Sequence, residues 1–189
     1  MGLERPLSIQ YRTIGVENME YGLTSSTIKR IKLLNVNKGE EMDYRFVWEV
    51  NYANVCGKKL LLIVNADTRY AMIYCDLKPF VWKNITEFIS EAIHLALKRE
   101  DFTEEKINKY FELAGKIKLT TTHGAKACSG LKHLTVELAY YDKTLVDGMF
   151  QPIITDDVNF TLCNISLHPE MKYFQPRDFF RIRMNELLK

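Results

Sequence analysis

The sequence predicts an α+β domain in which an antiparallel β-meander carries helices packed on one face. Three observations predict it. Phe46, Trp48, Val50 and Tyr52 alternate with Val47, Glu49 and Asn51, which is the period of a half-buried strand. Leu60-Leu61-Leu62-Ile63-Val64 is continuously apolar, as in a central strand covered on both faces, and Tyr70 to Cys75 follows after the turn residues Asn65-Ala66-Asp67-Thr68. Ile85, Phe88, Ile89, Ala92, Ile93, Ala96 and Leu97 then recur at helical spacing, with Phe88 and Ile89 at the centre of a stripe expected to bury against the meander.

The remaining elements follow in order. Residues 1–40 are the hardest to read: Leu7 to Tyr11 alternates like a short strand, and Thr27 to Val36 sets Ile28, Ile31 and Leu33 or Leu34 at helical spacing, with a strand as the alternative. Asn37-Lys38-Gly39 reads as a turn. Asn84 and Glu87 resemble a capping box opening the apolar stripe. Thr103 caps a second helix, with Glu104 and Glu105 in its first turn and Gly115 at its end. Ile117 to Thr122 reads as a fourth strand, and Ser129 as the cap of a third helix bearing Leu131, Leu134, Leu138 and Leu145. Residues 157–168 fit a strand or a helix. Pro176 suits the first position of a final helix with Phe180, Met184 and Leu187 on its inner face.

Composition narrows the classes. The chain has 189 residues, 47% hydrophobic and 26% charged, which is ordinary globular usage and is read as one domain over residues 1–189. A net charge of +2 is too small for bulk attraction to nucleic acid. No apolar run approaches the ~18 residues of a membrane span, and the start lacks a secretion signal. Cys56, Cys75, Cys128 and Cys163 are scattered, so reduced thiols and a cytoplasmic location are expected.

Residues 59–75, then Lys83 to Phe88, the helix ending Ala114-Gly115 and the strand Ile117 to Thr120 resemble an uncharacterised bacterial domain family. Its members occur alone or fused ahead of a plasmid open-reading-frame-three-like domain. Trp48, Asn65 and Arg69-Tyr70 match the family pattern, as do Pro169, Met171, Tyr173 and Pro176, and the similarity spans residues 44–188. The resemblance implies a fold and a bacterial or mobile-element origin, and no reaction. Members tend to carry Arg-Ser-x-x-Gly-x-x-Asn after the fourth strand. Here residues 125–132 read Ala-Lys-Ala-Cys-Ser-Gly-Leu-Lys, with the Arg, the Asn and the Gly spacing altered. A function shared through that stretch would be lost or changed in this chain.

Candidate chemistry is sparse. Cys128 and His133, like Cys163 and His168, stand five apart, which on a helix turns them about 140° from each other. With no Cys-x2-Cys knuckle, no metal and no cofactor is expected. Cys128 with His123 or His133 could serve nucleophilic catalysis, since Thr120 to Gly124 follows a strand. Phosphate-binding glycine loops are absent. Lys29, Arg30 and Lys32 form one basic cluster; Arg177, Arg181 and Arg183 form another near Phe179 and Phe180. Tyr140-Tyr141, Met149-Phe150 and Tyr173-Phe174 lie in the more irregular C-terminal third, where aromatics outside periodic elements cover a core edge or form an interface. The expected role is therefore a non-enzymatic binding or regulatory module acting through a protein partner or self-association, with Tyr173, Phe174, Arg177 and Arg181 as the contact surface. The alternatives are a nucleic-acid-binding regulator and a small hydrolase or transferase using Cys128 or His123.

Overall fold

A computed structural model describes residues 18–40, 43–55, 57–140, 145–164, 168 and 173–189. The expected strand at Leu7 to Tyr11, together with Cys56, Tyr141, Pro169 and Met171, lies outside them. The chain order is β1 (Asn18–Leu23), α1 (Ser25–Ile31), β2 (Val47–Val55), β3 (Lys58–Asn65), β4 (Ala71–Cys75), α2 (Pro79–Lys83), α3 (Ile85–Arg99), α4 (Glu104–Ala114), β5 (Lys116–Thr121), α5 (Ser129–Glu137), α6 (Pro152–Phe160) and α7 (Pro176–Leu187).

The protein is α+β, but its sheet is mixed rather than a pure meander. The strand order is β4-β3-β2-β1-β5. β2, β3 and β4 form the antiparallel part, as the alternation and the short turns require. β1 pairs in parallel with both β2 and β5. The physical reason is the connections. α1 lies between β1 and β2, and α2 to α4 lie between β4 and β5; a helical crossover returns the chain in the same direction. The expected fourth strand is therefore β5, docked beside β1 at the far side of the sheet from β4.

Helices cover both faces, which corrects the expectation of one. On the first face, Met19, Tyr21, Trp48, Ile63 and Met72 pack with Ile89, Ile93 and Leu97 of α3, Ile107 and Tyr110 of α4, and Phe180 and Met184 of α7. On the second, Leu60, Leu62, Val64 and Ile73 pack with Leu131, Leu134, Ile154 and Val158 of α5 and α6. The uninterrupted run at 60–64 demands this: successive strand residues face opposite sides, and both sets are apolar. Ile89 is fully buried while Phe88 is half-buried, edge-on to Tyr74 at 4.9 Å.

Local signals mostly act as their chemistry dictates. Thr103 accepts from the Lys106 backbone N–H, and Gly115 takes φ 63° as α4 gives way to β5. Asn84 does not cap α3; its amide donates to Phe80 O instead. Residues 157–160 belong to α6, whose Asn159 side chain holds both backbone groups of Ala71 on the edge of the sheet, at 2.8 Å each. None of the described helices is long and apolar enough to cross a membrane.

Candidate functional site

The C-terminal residues singled out in the sequence occupy α7 and the chain just before it. Tyr173 is 70% exposed. Phe174 packs on Phe179 at 5.0 Å and exchanges backbone hydrogen bonds with Cys163. Arg177 donates to buried Glu100 at 2.8 Å and lies over the Phe160 ring. Arg181 donates to Asp101 at 3.0 Å, and Arg183 to Asp67 at 2.7 Å. Glu100 also accepts from the Tyr70 hydroxyl at 3.0 Å. The three guanidinium groups thus fasten α7 to the end of α3 and to the β3–β4 turn. Of the four expected contact residues, Tyr173, Phe174, Arg177 and Arg181, Tyr173 is the one whose side chain stands mainly in solvent.

The other basic cluster divides similarly. Arg30 lies over the rings of Trp82 and Tyr52, at 5.0 and 5.5 Å, while Lys29 and Lys32 are exposed. The two Cys–His pairs do not converge. His133 pairs with Glu137 on α5, and His168 bonds Asp67 at 2.8 Å. Among the described residues, no group of three or more His, Cys, Asp and Glu is arranged to hold a metal ion.

A different constellation lies on the second face. His123, just beyond β5, stands between Glu20 of β1 and Glu49 of β2. Its Nε2 is 2.6 Å from Glu20 Oε2, and its Nδ1 is 2.9 Å from Glu49 Oε1. Its backbone N–H also donates to Glu49 Oε1 at 2.9 Å. The three side chains are 1%, 2% and 0% exposed. Gly22 makes the arrangement fit: it pairs with Glu49 on one side and Thr120 on the other, and a Cβ there would meet Glu49 Oε2 at 2.4 Å. Glu49 Oε2 and the Thr120 hydroxyl are buried with no hydrogen-bond partner.

Burial opposes a charge on His123, but hydrogen bonds to Glu49 and Glu20 and their negative charge outweigh it, so its pKa is raised. Stability from this charged imidazole is fully present below the unfolded histidine value of about 6.5. It is lost as pH rises through the raised folded value. As pH rises from about 6.5, urea midpoints of the wild type should therefore fall more than those of His123→Gln. Equal slopes in the two proteins would show that the imidazole is neutral in the fold.

Next to this cluster a cleft of about 510 Å³ opens at the carboxyl ends of β1 and β5, lined chiefly by Thr24, Asn51, Thr122, Cys128, Leu131 and Val136. Open α/β sheets commonly receive ligands beyond the carboxyl ends of parallel strands. Asn51 ties its walls together, accepting from the Thr24 and Ser26 hydroxyls and donating to Thr135. Burial first, then the nearby Glu49 carboxylate, pushes the Cys128 thiol up to about 11. Residues 125–132, where the family resemblance breaks, run along this cleft. The sequence pointed to His123 and Cys128. It missed Glu20, Glu49 and Gly22; the one signal for them was a Glu and a Gly at alternate positions of apolar strands.

Fold and site together define an α+β domain with a mixed five-stranded sheet, a cleft at the carboxyl ends of two parallel strands and a buried Glu-His-Glu array. The chain belongs to the family described as Domain of unknown function (DUF6933), whose model matches residues 21–179. No curated protein and no solved structure matches it.

Proposed function

We propose that this domain is a non-enzymatic binding module that acts through a protein partner, receiving an apolar side chain of that partner in the cleft beside α5. The observation that carries the reading is the contrast between the cleft and the chemistry behind it. Leu131 and Val136 give the cleft an apolar wall, and Val136 remains 68% exposed beside it. The groups able to do chemistry are muted: both ring nitrogens of His123 are bonded behind the cleft, and the Cys128 thiol in its wall is far from ionising at neutral pH. Such a cluster stiffens a wall more readily than it attacks a substrate. Two arginines expected to meet the partner are held by Glu100 and Asp101, which moves the proposed contact from α7 to α5.

The test is a nuclear magnetic resonance titration with N-acetyl-leucine methylamide as a minimal probe. Burying one leucine side chain is worth about 1.5–3 kcal/mol, so a dissociation constant no tighter than about 5 mM is expected. Shifts should centre on Thr122, Thr135 and Val136, and Val136→Arg should abolish them. Shifts scattered over the surface would defeat the reading. Turnover of an ester probe that is lost in Cys128→Ser would favour the hydrolase alternative instead.

A further inference from the structure

The two edges of the sheet are treated differently. The outer edge of β4 is closed by its own chain. Cys75 N–H donates to Met149 O at 2.6 Å, Gln151 N–H donates to Ile73 O at 3.0 Å, and Thr155 Oγ1 accepts from Ile73 N–H at 3.3 Å. Asn159 takes both backbone groups of Ala71, as described above. The outer edge of β5 is occupied only at its end, where Asn37 forms a parallel bridge with Thr120 and accepts from Thr121 N–H at 2.8 Å. Backbone groups alternate sides along a strand, so an outward Thr121 N–H implies outward N–H groups at Leu119 and Ile117. Among the described residues, nothing pairs with the Leu119 N–H or with either backbone group of Ile117 on that side.

The side chains of this edge are sorted by face. Lys116, Lys118 and Thr120 point to the second face, and Ile117 and Leu119 to the first, where Leu119 joins the core and Ile117 stays 38% exposed. Beside Lys118 runs a groove of about 670 Å³ lined by Lys38, Gly39, Glu40, Thr120 and Glu20. The unpartnered Thr120 hydroxyl sits on its inner wall and can donate to a carboxylate. The charge of Glu20 is turned toward His123, so among the described residues lining the groove the lysines outweigh exposed Glu40.

We propose that the outer edge of β5 accepts a short extended segment of a partner protein, with acidic residues alternating with apolar ones, added as a sixth strand beside Lys116–Leu119. Main-chain bonds to Ile117 and Leu119 supply the pairing, and the alternation supplies the specificity. Acidic side chains fall opposite Lys116 and Lys118, and apolar ones beside Ile117 and Leu119. A second copy of this edge is excluded by the same lysines, since like charges across a strand pair repel. The Asn37 bridge shows that this edge already tolerates parallel backbone pairing. The site is separate from the cleft beside α5 and stands or falls independently of it.

The probe is a fluorescein-labelled, N-acetylated Glu-Val-Glu-Val-Glu amide added to the full chain, followed by anisotropy and amide hydrogen exchange. Saturable binding is expected, with slowed exchange at Ile117 and Leu119. Charge reversal at exposed Lys116→Glu with Lys118→Glu should weaken it about tenfold or more, and should favour a Lys-Val-Lys-Val-Lys peptide instead. Ile117→Pro removes only an outward N–H, a change edge strands tolerate, and should weaken binding comparably. Val136→Arg should leave it unchanged. The proposal is overturned by absent saturation, by slowed exchange elsewhere in the wild type, or by undiminished binding to a folded Ile117→Pro protein, which would mean charge adherence without strand pairing. If Ile117→Pro does not fold, the location of slowed exchange in the wild type decides.

Discussion

Glu49→Ala is expected to lower stability by about 3–5 kcal/mol, because removing one member of a buried charged array leaves its partner uncompensated. Glu49 Oε1 receives two donors from His123, the ring Nδ1 and the backbone N–H, each at 2.9 Å. Without it the loop after β5 loses its anchor to β2, and the space above Gly22 is left as a cavity. Glu49→Gln is the informative companion. It keeps the shape and one acceptor but removes the charge, so it should cost less and lower the His123 pKa, readable by titrating the ring protons. A double-mutant cycle with His123→Gln should show strong coupling, since the two groups touch. A loss below about 1 kcal/mol for Glu49→Ala in urea unfolding would place the array among ordinary ion pairs.

How far the sequence discloses such a site depends on separation along the chain. The local signals at β2, β3, β4, α3, α4 and α7 are strong because alternation, helical spacing and caps act within a few residues. β1 was illegible for the opposite reason. Its apolar residues Met19, Tyr21 and Leu23 alternate with Glu20 and Gly22, which disfavour strands, and its pairing partners lie in distant β2 and β5. Glu49 reads as the solvent side of a half-buried strand; its burial depends on His123, 74 residues away. Arg177 and Arg181 look like free surface until Glu100 and Asp101, 77 and 80 residues earlier, are brought beside them. The run at 60–64 did contain the two-sided covering of the sheet, because no one-faced arrangement buries five consecutive apolar strand residues.

That covering makes α7 a support of the fold as well as its last element, and Phe180→Ala is the variant that measures it. Phe180 is 0% exposed. Its ring stacks on Tyr70 at 4.4 Å and meets Trp48 edge-on at 6.0 Å, so one side chain joins the final helix to β2 and to the residue leading into β4. Truncating a phenylalanine in such a place costs about 3–5 kcal/mol, the transfer free energy of the ring together with the cavity left behind. Phe88→Ala should cost less: Phe88 centres the α3 stripe but is half-buried, and part of its ring already faces water. The ordering, Phe180 above Phe88, is the expected result in urea unfolding of both variants. With α7 loosened, Arg177 loses its fixed approach to Glu100, so amide exchange should rise along Pro176–Leu187 before it rises in β3. Equal costs for the two variants, or exchange that rises first in the strands, would mean that α7 adds little to the core and that α3 and α4 alone hold the first face of the sheet.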